Sequence, residues 1–177
     1  MLTTEPKVEQ KAEVKNHPII ITLGDTVSGA GFLAGVTLSG RALMRQEDDG
    51  KWWMYGVRPA AIAESGTTID EAFLRFRQRY KETLFDIAQE SRTFEEFKAE
   101  VERFFYESDQ DEQVWETALR AVRKCGDVPP PPPFSNLKRE SPELRPSAIG
   151  VERLDRENKR FTPSDNVTDN FAMAQAA

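Results

Sequence analysis

Cysteine and histidine are almost absent, with Cys125 and His17 the sole examples of each in 177 residues. One cysteine excludes an internal disulfide and a cysteine-based zinc cluster, so nothing calls for an oxidising compartment. One histidine excludes a histidine-rich metal site, and any nucleophile-histidine pair would depend on a residue at the edge of a polar N-terminal arm. Long apolar runs are missing too: no stretch approaches the roughly 18 apolar residues of a membrane span. The opening Met1-Leu2-Thr3-Thr4-Glu5-Pro6 lacks the basic segment and apolar run of a secretory signal, so the cytosol is the expected compartment and no membrane partner is expected. Without secretion, the sequon at Asn166-Val167-Thr168 carries no weight. Positive charge is also short. With 24 Lys and Arg against 30 Asp and Glu, a net charge of -6 argues against a nucleic-acid partner held by bulk electrostatics.

What is present divides into regimes. Residues 1–16 are mostly Lys, Glu, Gln and Thr, which cannot bury enough surface to offset the entropy of ordering, and read as a disordered arm. Five consecutive prolines, Pro129 to Pro133, can neither continue a helix nor join a ladder, so 127–133 reads as a proline-rich linker. Beyond it, 134–177 scatters a few apolar residues among many charges and reads as a largely disordered tail, with a short helix over 148–159. The remainder, 17–126, is the expected folded domain, in line with the usual size of roughly 100–200 residues.

Within that domain Ile19-Ile20-Ile21-Thr22-Leu23 is a β-branched run bounded by Pro18 and Gly24, which reads as a buried strand. The glycine-rich stretch after it, Gly24 to Gly35, lacks both the dinucleotide-binding spacing and the Walker lysine, and reads as a hairpin with bulges and glycine turns. Asp48-Asp49-Gly50 is a turn signal that lets Gln46-Glu47 pair with Trp52-Trp53-Met54-Tyr55-Gly56-Val57. Alternation then puts Trp52, Met54 and Gly56 on one face and Trp53, Tyr55 and Val57 on the other. With aromatics on both faces, one side is expected to take a helix and the other a partner or the chain's own arm. A further short strand is expected within 61–65.

Three helices follow. Thr68 and Glu71 form a capping box ahead of an apolar stripe through Ile69, Phe73, Phe76, Tyr80, Leu84 and Ile87. Thr93 and Glu96 repeat the box ahead of Phe94, Phe97, Val101, Phe104 and Phe105. Val114, Trp115, Ala118, Leu119 and Val122 form a third stripe, with Gly126 placed to end it. Aromatics at helical spacing read as core rather than as a cofactor site. From Glu64 to Glu112 there are 14 acidic and 7 basic residues, spread over polar helix faces as a solvated acidic surface in which no acid/base pair can be located. Cys125, beside Lys124, reads as a small helix-end residue rather than a reactive thiol.

The order from Trp53-Met54-Tyr55-Gly56-Val57-Arg58-Pro59 to Gly66-Thr67-Thr68-Ile69-Asp70-Glu71-Ala72 resembles the HicB-like antitoxin domain over roughly residues 19–88. That family shows an aromatic strand, a proline shortly after, and a return strand entering a G-x-T-x-x-E-A helix start. The resemblance implies a small antiparallel sheet packed against one long amphipathic helix, used to bind a toxin ribonuclease rather than to catalyse. The chain departs from the family at Arg58-Pro59-Ala60-Ala61-Ile62, and no DNA-binding unit follows, so the family's repressor role is left out of the expectation.

The expected class is α+β, with one long helix on a small sheet, two further helices and disordered tails. The expected function is non-enzymatic protein binding with no cofactor and no metal. The candidate contact residues are Trp52, Trp53, Tyr55 and Arg58 on the aromatic strand and Phe134 after the prolines. The two aromatic-rich helices after the first either extend the core or join copies into a homo-oligomer. The alternative function is a structural or adaptor subunit that holds its neighbours through the proline-rich linker and C-terminal tail.

Overall fold

The computed structural model describes residues 16–106, 110–125, 132–155 and 171–177. Residues 1–15 of the polar arm, 127–131 of the linker and Gly126 lie outside the described residues.

The fold is α+β and begins with one long hairpin. Strand β1 (His17–Gly29) pairs along its whole length with β2 (Phe32–Gln46), without interruption from His17 opposite Met44 to Gly29 opposite Phe32. The two-residue connection needs Gly31 at φ 74°, a conformation a side chain disfavours. The glycine-rich stretch is therefore a hairpin, as its composition implied, but it carries no bulge. The second hairpin, through Asp48-Asp49-Gly50, brings β3 (Trp52–Arg58) onto β2 with Gln46 opposite Trp52, and β4 (Ala63–Gly66) returns along β3.

The helices follow at the expected places: α1 (Ile69–Glu90), α2 (Phe94–Tyr106) and α3 (Gln110–Lys124). Thr68 Oγ1 accepts from the Glu71 amide at 3.1 Å, and Thr93 Oγ1 from the Glu96 amide at 3.1 Å. The reciprocal bonds are displaced by one residue from the expected box. Glu71 accepts from the Thr67 amide and Thr67 hydroxyl, both at 2.7 Å, and Glu96 accepts from the Arg92 amide at 2.8 Å.

In its described residues the C-terminal segment forms strands where disorder was expected, while residues 156–170 of that tail, including the end of the helix expected over 148–159, lie outside the described residues. Phe134 opens a short 3-10 turn (Phe134–Asn136), and the chain then supplies β5 (Arg139–Glu140), β6 (Ala148–Arg153) and β7 (Ala172–Ala176). The residues expected to start a helix at 148 instead line the N-terminal half of β2, with Val151 opposite Val36. β7 lies antiparallel to β1 through Ile19 to Thr22, and β5 adds parallel to β7. The long hairpin leaves ladder edges open, and these short strands satisfy their backbone groups there. The sheet order is β4-β3-β2-β1-β7-β5, with β6 on β2.

One edge of β2 therefore serves two strands: β6 pairs with it from Ala34 to Ser39 and β3 from Arg41 to Gln46. The handover falls at Gly40, where a Cβ would collide with the Arg58 carbonyl, so no side chain fits at the fork.

Both faces of the sheet are packed. On the first, Ile19, Ile21, Leu23, Met44 and Met54 meet Phe73, Phe76, Tyr80 and Leu84 of α1 and Phe97, Val101 and Phe105 of α2. On the second, Ile20, Leu43, Val57 and Ala176 meet Trp115, Ala118 and Leu119 of α3. The second face was expected to await a partner or the N-terminal arm; α3 covers part of it instead.

Candidate functional site

The five candidate contact residues separate onto different surfaces. Phe134 is fully buried, stacked on His17 at 4.0 Å and edge-on to Trp52 at 5.4 Å. Trp52 packs half-buried against the first core. These two rings and His17 pin the residues after the prolines to the start of β1, and Phe134 has no surface left to offer a partner. His17 itself lies buried within β1 rather than at the edge of a free arm.

Trp53 and Tyr55 remain on the second face, beside α3. Their rings stack at 5.9 Å with an interplanar angle of 18°. Cross-strand pairing sets Arg45 opposite Trp53 and Leu43 opposite Tyr55. Arg45 lies over the Tyr55 ring at 4.7 Å and donates to Glu47 at 2.6 Å, while the Tyr55 hydroxyl donates to the same Glu47 oxygen at 2.7 Å. The bond from Tyr55, followed by that from Arg45, holds the Glu47 carboxyl below its usual range, and partial burial, then the bond to Glu47, pushes the Tyr55 phenol up. The result is a half-buried aromatic pair whose positions are set by a charged bracket.

Arg58 does different work. With Arg41 of β2 it grips Glu112 of α3, each guanidinium taking one carboxylate oxygen. Arg41 also lies over the Trp115 ring at 4.5 Å, and Arg58 over Tyr106 at 5.6 Å. The Trp115 indole donates to the Ile19 carbonyl at 3.3 Å. Arg58 thus fastens α3 to the sheet. On the far side of α3, the turn at 141–146 closes a cleft of about 430 Å³, its wall held by Arg123 paired with Glu143 at 2.7 Å.

Sequence reasoning missed Arg45 and Glu47, although the Asp48-Asp49-Gly50 turn fixes the register that places Arg45 opposite Trp53. It missed Arg41 and Glu112 for a different reason: they are 71 residues apart, and no local pattern links them. Among the described residues, no group of three or more His, Cys, Asp or Glu is arranged to hold a metal ion, and no helix is long and apolar enough to cross a membrane. The chain matches no protein family, no curated protein and no solved structure.

Proposed function

We propose that this chain is a non-enzymatic, cytosolic protein-binding module that engages a partner, such as a toxin ribonuclease, in the manner implied by its resemblance to HicB-like antitoxins. The observation that carries the reading is the stacked Trp53–Tyr55 pair, bracketed by Arg45 and Glu47 on a part of the sheet beside α3. Trp, Tyr and Arg dominate the energetics of protein interfaces, and rings already held in place lose little rotamer freedom on binding. The long α1 packed on antiparallel strands also agrees with the arrangement the resemblance implies, within a larger sheet of seven strands that carries two further helices. The adaptor alternative has less support, because the described strands of the C-terminal tail are already paired within the chain's own sheet. A homo-oligomer belongs to the same proposal, with light scattering as its readout.

The test co-expresses the chain with any small protein encoded beside its gene. Expressed alone, that protein arrests growth, and co-expression of the chain restores it. A Trp53→Ser/Tyr55→Ser double variant loses the protection while its melting curve stays cooperative. The proposal fails if the neighbour is neither toxic nor bound, or if the double variant protects as fully as the parent.

A further inference from the structure

The cleft between α3 and the turn at 141–146 has a volume of about 430 Å³, the size of ordinary small-ligand sites, which run roughly 300–1,000 Å³. Trp115, Leu119 and Pro142, all buried, give it an apolar floor. The charges around that floor are not equally engaged. Arg123 donates to both oxygens of Glu143, at 2.7 and 2.8 Å, and Ser141 adds a third bond to that carboxylate. Arg41 is engaged by Glu112 and lies over Trp115. Arg120 differs: its Nε reaches only the Glu116 backbone carbonyl, at 3.4 Å, and among the described residues it has no carboxylate partner.

A guanidinium with unspent donors beside an apolar floor matches a carboxylate joined to an apolar body, because the planar fork presents two parallel N–H groups to the two oxygens. Glu116, which also lines the cleft, adds a repulsion that grows with ligand charge and so favours a monoanion over a dianionic phosphate ester. We propose that this cleft is a binding site for an apolar monocarboxylate, with Arg120 taking the carboxylate and Trp115, Leu119 and Pro142 the body. The site is separate from the Trp53–Tyr55 surface and does not depend on its role.

The test follows the Trp115 indole N–H resonance of the full chain during titration with phenylacetate, phenyl phosphate, benzylamine and benzyl alcohol. Phenylacetate gives a saturable shift, phenyl phosphate binds more weakly, and the amine and the alcohol give none. Arg120→Gln, an exposed change, weakens phenylacetate at least about tenfold, equivalent to about 1.4 kcal/mol. Lys124→Gln removes the same charge from the end of α3 outside the cleft and changes affinity by less than about twofold. A blocked leucyl-glutamate dipeptide distinguishes the two sources of this chemistry: tighter binding than phenylacetate assigns a peptide segment, weaker binding a free acid. The proposal is overturned if benzyl alcohol binds as well as phenylacetate, if Arg120→Gln and Lys124→Gln weaken binding equally, or if no saturable shift occurs up to about 10 mM.

Discussion

The two faces of the sheet are covered in different ways. The first carries α1 and α2, and its contacts are mainly apolar, from Ile19 and Met54 to Phe76, Tyr80 and Phe97, with one charged contact where the buried Asp25 of β1 pairs with Lys81 of α1 at 3.7 Å. Among the described residues the second carries α3 as its one helix, on a much smaller apolar cluster, and charged and polar groups supplement it: Glu112 gripped by Arg41 and Arg58, and the Trp115 indole bonded to Ile19. Burial supplies most of the attachment where two helices and a long strand pair share one interior. Where a single helix meets a sheet, directional contacts complete the attachment. The difference also places both proposed sites, because α3 leaves aromatic sheet surface on one side and an arginine-bearing cleft on the other.

The comparison predicts unequal sensitivity. Phe76 has no exposed surface, so Phe76→Ala should cost about 3–5 kcal/mol and unfold the chain in a single earlier denaturant transition. An undisturbed melting curve would show that the first face is not the main source of stability.

Glu112→Gln keeps the shape of the side chain but removes the charge shared by Arg41 and Arg58. The three side chains are only 17–19% exposed, so the loss should be about 1.5–3 kcal/mol. Hydrogen exchange should rise in α3 while α1 keeps its protection. Equal acceleration in both helices would mean that the two faces unfold as one unit.

At the start of α1, Thr68→Ala removes the bond to the Glu71 amide and should cost about 0.5–2 kcal/mol. The Glu71 carboxylate keeps its bonds to Thr67, and those bonds, backbone first, hold its carboxyl below the usual range. The Glu71 titration should therefore barely move in the Thr68 variant and should shift upward in Thr67→Val. The reverse order would restore the ordinary reciprocal box.

The smallest expected effect is at the cleft wall. The Ser141 hydroxyl and then Arg123 pull the Glu143 carboxyl down to about 2, against an ordinary value of about 4.3. A carboxyl lowered in the folded state stabilises the fold above its unfolded value and loses that contribution as pH falls toward the folded one. Because Glu143 is exposed, global stability should hardly respond, while its side-chain NMR signal should stay ionised at about pH 3. An ordinary midpoint would mean that the Arg123–Glu143 contact does not hold the wall in solution.

What the sequence determined by itself is what neighbouring residues control. Stripes at helical spacing placed α1, α2 and α3, Thr68 and Thr93 marked two helix starts, and Asp48-Asp49-Gly50 set the β2–β3 hairpin and, through alternation, the two faces of the aromatic strand. These signals are local because backbone periodicity and capping act over a few residues. The tertiary structure alone decided the rest. Ala172 to Ala176 and Ala148 to Arg153 have few large apolar side chains and no strong strand signal of their own, and they form strands on the ladder edges that β1 and β2 leave open. Phe134 is core because His17 and Trp52 receive it, and Arg58 is a fastening because Glu112 arrives on α3. Such pairings join residues up to 156 positions apart, as between Ile19 and Gln175, and their free energy comes from edges and partners that exist only once the long hairpin has formed.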